Sequence, residues 1–142
     1  MIYENMPEGF NSRVEVVSCY VEHDNKILML HRQDHKPQGN TWAGPAGKMD
    51  DGEDIHGAIR RETEEETGVL LKNPKHFKKL FVRFPDYDFI YHIFHEVLDE
   101  LPEVSINPGE HKDFQWVEPA KTLGLPLMMD EDACIKMFFR IE

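Results

Sequence analysis

Between residues 47 and 69 the chain reads GKMDDGEDIHGAIRRETEEETGV, which sets Glu62, Glu64, Glu65 and Glu66 within five positions. Acidic clusters are ordinary on a solvated helix face, so the bearing of each side chain decides what this one means. At about 100° per residue, Glu62 and Glu66 fall on nearly the bearing of Ile55 and Ile59. Glu65 flanks them beside Ala58, while Arg60 and Glu64 point away. Three carboxylates are therefore expected on the inward half of one helix. Unpaired carboxylates in a partly buried place are costly. A divalent cation relieves that cost, since Mg²⁺ takes hard oxygen ligands and is usually held by one or two carboxylates plus substrate phosphates. Asp51-Gly52-Glu53-Asp54 supplies capping and early acidic residues for the start of this helix, and Gly68 supplies its stop.

The rest of the chain reads as strands with one more helix. Residues 1–11 hold Pro7, Gly9 and Asn11 and read as a loose lead-in. Arg13 to Val21 alternates apolar and polar residues, His23-Asp24-Asn25 is turn chemistry, and Ile27 to Leu30 completes a hairpin. Residues 33–41 read as a loop, and 77–84, 89–98 and 114–117 as strands. Residues 130–140 read as a closing helix with Ala133, Met137 and either Cys134 or Phe138 inward. Short strands with two helices suit an α/β/α sandwich, a mixed sheet held between helices. The pattern alone leaves another α+β sandwich open.

A chain of 142 residues is expected to form a single domain, 1–142. No apolar run is long enough to span a bilayer, and MIYENMPEGF has neither the basic region nor the apolar stretch of a signal peptide. The two cysteines, Cys19 and Cys134, have no metal-type spacing and suit reduced thiols in a cytoplasmic protein. A net charge of −11 argues against a nucleic-acid polymer as partner. It permits a small nucleotide, because a bound metal can supply the missing positive charge. The eight histidines read as surface or structural residues; His92 and His95, three apart on a strand, should face opposite sides.

The 47–69 run resembles the signature box of the Nudix hydrolases. Gly47, Glu53, Arg61, Glu62, Glu65, Glu66, Gly68 and Val69 all stand at the family's positions. Thr63 departs from its aliphatic preference, and Trp42-Ala43-Gly44-Pro45-Ala46-Gly47 resembles the usual lead-in with Ala46 in place of a glycine. The resemblance implies the MutT-like α/β/α architecture. It also implies Mg²⁺- or Mn²⁺-dependent hydrolysis of a nucleoside diphosphate linked to a further group X.

On that resemblance Glu62, Glu65 and Glu66, with the Gly47 carbonyl, are expected to hold metal. Arg61 is expected to orient the catalytic carboxylates, and Glu53 to support the loop-to-helix corner. Lys48 and Arg32 are candidates for phosphate, and Trp42 for the base, with Phe84 and Tyr87 as further aromatics. Glu62 and the loop residue Glu110 are both candidates for the general base. A carboxylate bound to a cation is a poor base, which favours Glu110. The first expected substrate is a nucleoside triphosphate, released as monophosphate and pyrophosphate. ADP-ribose, nucleotide sugars and dinucleoside polyphosphates are the alternatives, and Pro85 and Tyr87, which resemble conflicting family markers, do not separate them. A nucleotide-binding domain without catalysis is the alternative of another class. The partner is expected to be the small nucleotide, without membrane or nucleic-acid polymer, with a homodimer as an option.

Overall fold

A computed structural model describes residues 1–142. In chain order its elements are β1 (Ile2–Tyr3), β2 (Ser12–His23), β3 (Lys26–Arg32), β4 (Trp42–Ala43), β5 (Ala46–Lys48), α1 (Ile55–Thr67), β6 (Lys75–Arg83), β7 (Asp88–Val97), β8 (His111–Val117), α2 (Pro119–Thr122) and α3 (Glu131–Phe139). The strands form one sheet in the order β1-β6-β7-β2-β3-β4, with β5 paired to β2 and β8 paired to β3. β2 and β7 run parallel and the other pairs antiparallel, so the sheet is mixed.

Four successive residues of β3, Ile27 to Leu30, are buried. Strand side chains alternate between faces, so such a run requires cover on both. Leu28 and Leu30 pack with Ala58 and Ile59 of α1, whereas Ile27 and Met29 share a core with Cys134 and Ile135 of α3. This is the α/β/α sandwich expected from the sequence. Full burial of one such side chain, Ile59 for example, contributes roughly 1.5–3 kcal/mol.

The sequence pattern missed the shortest pieces. Ile2–Tyr3 of the lead-in pairs with Val82 and Phe81 of β6. Ala46–Lys48 pairs with Val16–Ser18 of β2, so the box begins on a strand and not in a loop. On α3 the buried residues are Glu131, Cys134 and Ile135, while Ala133 and Met137 are only partly covered. His92 and His95 do face opposite sides: His92 bonds Glu15 at 2.8 Å, and His95 packs on Phe138 of α3. No helix is long and apolar enough to cross a membrane.

The Asp54 side chain caps α1 by accepting the Gly57 N–H at 2.7 Å. Gly68 ends it at φ 74°, a left-handed conformation that glycine adopts freely, donating its N–H to Glu64 O at 2.8 Å. Between them Thr63 is fully buried and its hydroxyl has no partner. Thr63→Val keeps the shape and removes that unsatisfied group. It is expected to raise stability by about 1 kcal/mol, read as a higher denaturant midpoint at unchanged slope. A lower midpoint would show that the hydroxyl is satisfied in solution.

Candidate functional site

The site forms where β5 meets α1. Gly47 lies opposite Val17 on the sheet. A turn follows, closed by the Asp50 N–H donating to Glu53 Oε1 at 2.7 Å and the Glu53 N–H donating to Asp50 O at 3.2 Å. Gly52, at φ 83°, makes the reversal. The turn brings the Glu53 carboxylate to Arg61, one helical turn and a half into α1.

Arg61 joins this turn to the helix. Its Nε donates to Glu53 Oε2 at 2.7 Å and its Nη2 to Glu53 Oε1 at 2.8 Å, a two-pronged pair. Nη2 also donates to the Lys48 carbonyl at 3.1 Å, and Nη1 to Glu62 at 3.0 Å and Glu65 at 3.2 Å. The bond from Arg61, helped by the Asp50 N–H, holds the Glu53 carboxyl down to about 2. Arg61 thus links the turn to both Glu62 and Glu65, and Glu53 braces the corner between β5 and α1.

Glu62 and Glu66 point inward from α1, as their bearing requires. Burial raises the affinity of the Glu62 carboxyl for a proton, and the Arg61 charge partly offsets it. Glu66 is only 9% exposed; its one side-chain hydrogen bond is accepted from the Ala46 N–H at 3.4 Å. Burial first, then the charge of Glu62, pushes it well above the usual carboxylate range. Gly47 is what lets Glu62 come so close to β5: a Cβ at that position would lie 2.1 Å from the Glu62 carboxyl.

Glu65 departs from the expectation. Its side chain is 59% exposed and held at the surface by Arg61. The helical bearing put it inward, but the cover over α1 stops short of it. Nor do three or more His, Cys, Asp or Glu side chains gather anywhere in the chain closely enough to hold a cation alone. The inward set is two carboxylates, which leaves the remaining cation ligands to come from substrate phosphates and water.

Glu62 and Glu66 line a cavity of about 540 Å³ together with Gly47, Lys48, Arg32 and Glu110. Arg32 is tethered by its Nε donating to the Pro37 carbonyl at 2.7 Å, and Glu110 pairs with Lys36 at 3.4 Å. Trp42 does not join them. It is 6% exposed and stacked on His31 with ring centres 4.2 Å apart, so its burial in the core removes it as a base platform. A larger hollow, about 670 Å³, lies beyond the C-terminal end of α1 and contains none of the expected site residues.

Three cavity residues escaped the sequence reading. Lys36 sits in a polar loop and resembled any solvated cation. His111 is buried with Nδ1 unpartnered, and that burial lowers its proton affinity to about 4, leaving it a neutral imidazole. Glu131 opens α3 and looked like an ordinary acidic first-turn residue.

A family model described as NUDIX domain matches residues 12–136. An uncharacterized Nudix hydrolase of Bacillus subtilis, YvcI, is 31% identical over 116 residues, 79% of this chain and 70% of that protein. Several other relatives are longer, and the chain spans 24–35% of their length. Among solved structures, the MutT protein of Methanosarcina mazei superposes with a TM-score of 0.79 at 22% identity, covering 89% of this chain and 93% of that one. The NUDIX domain of Shewanella oneidensis NrtR, solved with ADP ribose, gives 0.79 at 19% identity, covering 96% and 92%. At those identities the two structures speak to fold alone.

Proposed function

The chain belongs to the Nudix hydrolase family, and from that premise we propose that it cleaves the diphosphate of a nucleoside diphosphate linked to a further group X, with a nucleoside triphosphate as the first substrate. The observation that carries the reading is Glu66, a buried carboxylate that no cationic side chain contacts, sharing one cavity with Glu62 and Glu110. Burial disfavours its ionised form, and a bound cation would supply the charge that offsets that cost.

The donor set fits Mg²⁺ or Mn²⁺. Glu62 and Glu66 would hold it, with the Gly47 carbonyl and Glu65 as the further ligands implied by the box. Bound there, the ion would polarise the diphosphate and lower the pKa of a water. The chain's own residues do the rest. Arg61 fixes Glu62 against the 49–54 turn. Arg32, Lys36 and Lys48 line the cavity and suit the phosphate oxygens. Glu110 is the proposed base, with Glu62 the alternative, because its carboxylate meets only Lys36 and remains free to accept the proton of an attacking water. The two buried, unpaired thiols, Cys19 and Cys134, suit a reducing, cytoplasmic setting.

ADP-ribose is the second reading, favoured by the NrtR domain solved with that ligand and by the aromatic side chains Phe84, Tyr87 and Phe89 of the cavity wall. Non-catalytic binding is disfavoured because Arg61, Glu62, Glu65 and Glu66 are all intact. Incubation with nucleoside triphosphates and ADP-ribose in Mg²⁺ or Mn²⁺, scoring nucleoside monophosphate and its co-product, is expected to show turnover that excess chelator abolishes. Full turnover in chelator would remove the metal assignment; no product from any substrate would favour the binding-only reading.

A further inference from the structure

Away from the cavity, on the α1 side of the sheet, imidazoles from two neighbouring strands meet. His76 of β6 lies opposite Phe94 of β7, so His92 is its diagonal neighbour in the antiparallel ladder. Diagonal neighbours on one face are within reach of aromatic side chains. The register shifts between His76 and Lys78, a bulge of the kind that re-aims a side chain. His76 Nε2 comes to 3.3 Å from His92 Nδ1. The other nitrogen of His92, Nε2, lies 2.8 Å from Glu15 Oε2 on β2. His92 is only 5% exposed, whereas His76 is open to solvent.

We propose that His76 and His92 form a binding site for a borderline transition-metal cation such as Zn²⁺, separate from the carboxylates of α1. Two nitrogens bound to a tetrahedral Zn²⁺ at about 2.0–2.1 Å stand roughly 3.3–3.4 Å apart. The observed 3.3 Å matches that edge and is longer than the usual N–H hydrogen bond of about 3.0 Å. The ring centres are 5.5 Å apart, so the rings meet nearly head-on. A modest turn of the exposed His76 ring aims both lone pairs at one point.

Glu15 prepares the ligand. A carboxylate only accepts, so in the neutral His92 ring the proton belongs on Nε2 and Nδ1 keeps its lone pair. This is the carboxylate–histidine pairing that orients metal ligands and raises their basicity. Partial burial, then the neighbouring His92 and His56, lower the proton affinity of His76 and favour the neutral ring that a metal requires. No third His, Cys, Asp or Glu stands close enough to complete the shell, so water fills the remaining positions. Imidazole suits Zn²⁺, whereas carboxylates suit Mg²⁺ and Mn²⁺, so the two sites sort different ions. A metal held here would clip β6 to β7.

The test titrates Zn²⁺ into the untagged protein by calorimetry with Mg²⁺ in excess, and repeats it with Co²⁺, whose visible absorption reports its coordination. The wild-type protein is expected to show saturable binding and a melting temperature that rises with Zn²⁺, since an ion that binds only the folded state stabilises it. His76→Gln changes an exposed side chain and should melt as wild type without metal, yet lose that binding and the rise. Glu15→Gln should weaken binding on the order of 10–100-fold. Glu66→Gln should retain it, which separates this site from the carboxylates of α1. Absence of wild-type binding, or binding undiminished in His76→Gln, overturns the proposal and leaves a hydrogen-bonded histidine pair. Turnover with Mg²⁺ in His76→Gln, expected at the wild-type rate, keeps the fate of the hydrolase reading separate.

Discussion

Glu66→Gln is expected to fold normally and to lose at least about a hundredfold in turnover, the scale on which removal of one strong electrostatic contact at a reacting centre is felt. Glu66 is buried on α1 beside Glu62, with the Ala46 N–H as its only hydrogen-bond donor. The amide is isosteric, so the packing against β5 remains. What disappears is the acid that can give up its proton and ligate a cation. Steady-state kinetics over a metal titration, with a melting curve as the folding control, read both effects. The expected pattern is a lower kcat and a weaker apparent metal affinity on an intact fold. A variant that turned over at the wild-type rate would remove Glu66 from the site.

Gly47→Ala is expected to inactivate the protein while barely destabilising it. The added methyl would lie 2.1 Å from the Glu62 carboxyl, a contact that cannot persist. Because that carboxyl ends a flexible side chain, it can swing aside at little cost to the fold. Doing so breaks its 3.0 Å bond from Arg61. A displacement of roughly 1 Å at a reacting group can cost about a hundredfold in rate, whereas the loss of stability should stay near about 1 kcal/mol or below. Activity and chemical denaturation, measured on the same preparation, separate the two. Wild-type turnover in Gly47→Ala would show that the close approach of Glu62 to β5 is not needed.

The layers, the long strands and the inward bearing of Glu62 and Glu66 were legible in the sequence because each rests on a period repeated over many residues. Glu65 was not. A helical bearing gives an angle and says nothing of how far the cover extends along the axis. Ala58 and Glu65 share a bearing, yet Ala58 is buried and Glu65, about 10 Å further along the helix, is exposed. Trp42 was misread because a two-residue strand carries no period; its pairing opposite His31 is what turns it into the core. The extent of α3 and its inward Cys134 were legible, but its other inward residues were not. Its apolar residues are dense enough to satisfy several faces, so nothing in the pattern marked Glu131 as inward.

The parallel pairing of β2 with β7 also bears on how the chain is made. Val14 lies opposite Phe89 and Glu22 opposite Val97, so one side of β2 has no partner until the chain has been synthesised through β7. At about 5–20 residues per second, the ribosome needs roughly 4–15 s to cover that interval. In the later part of it the box helix has already been synthesised, with its acidic residues in place and only part of its supporting sheet. The box is thus translated early and shaped late, by strands and cavity residues that carry none of its motif and lie further along the chain.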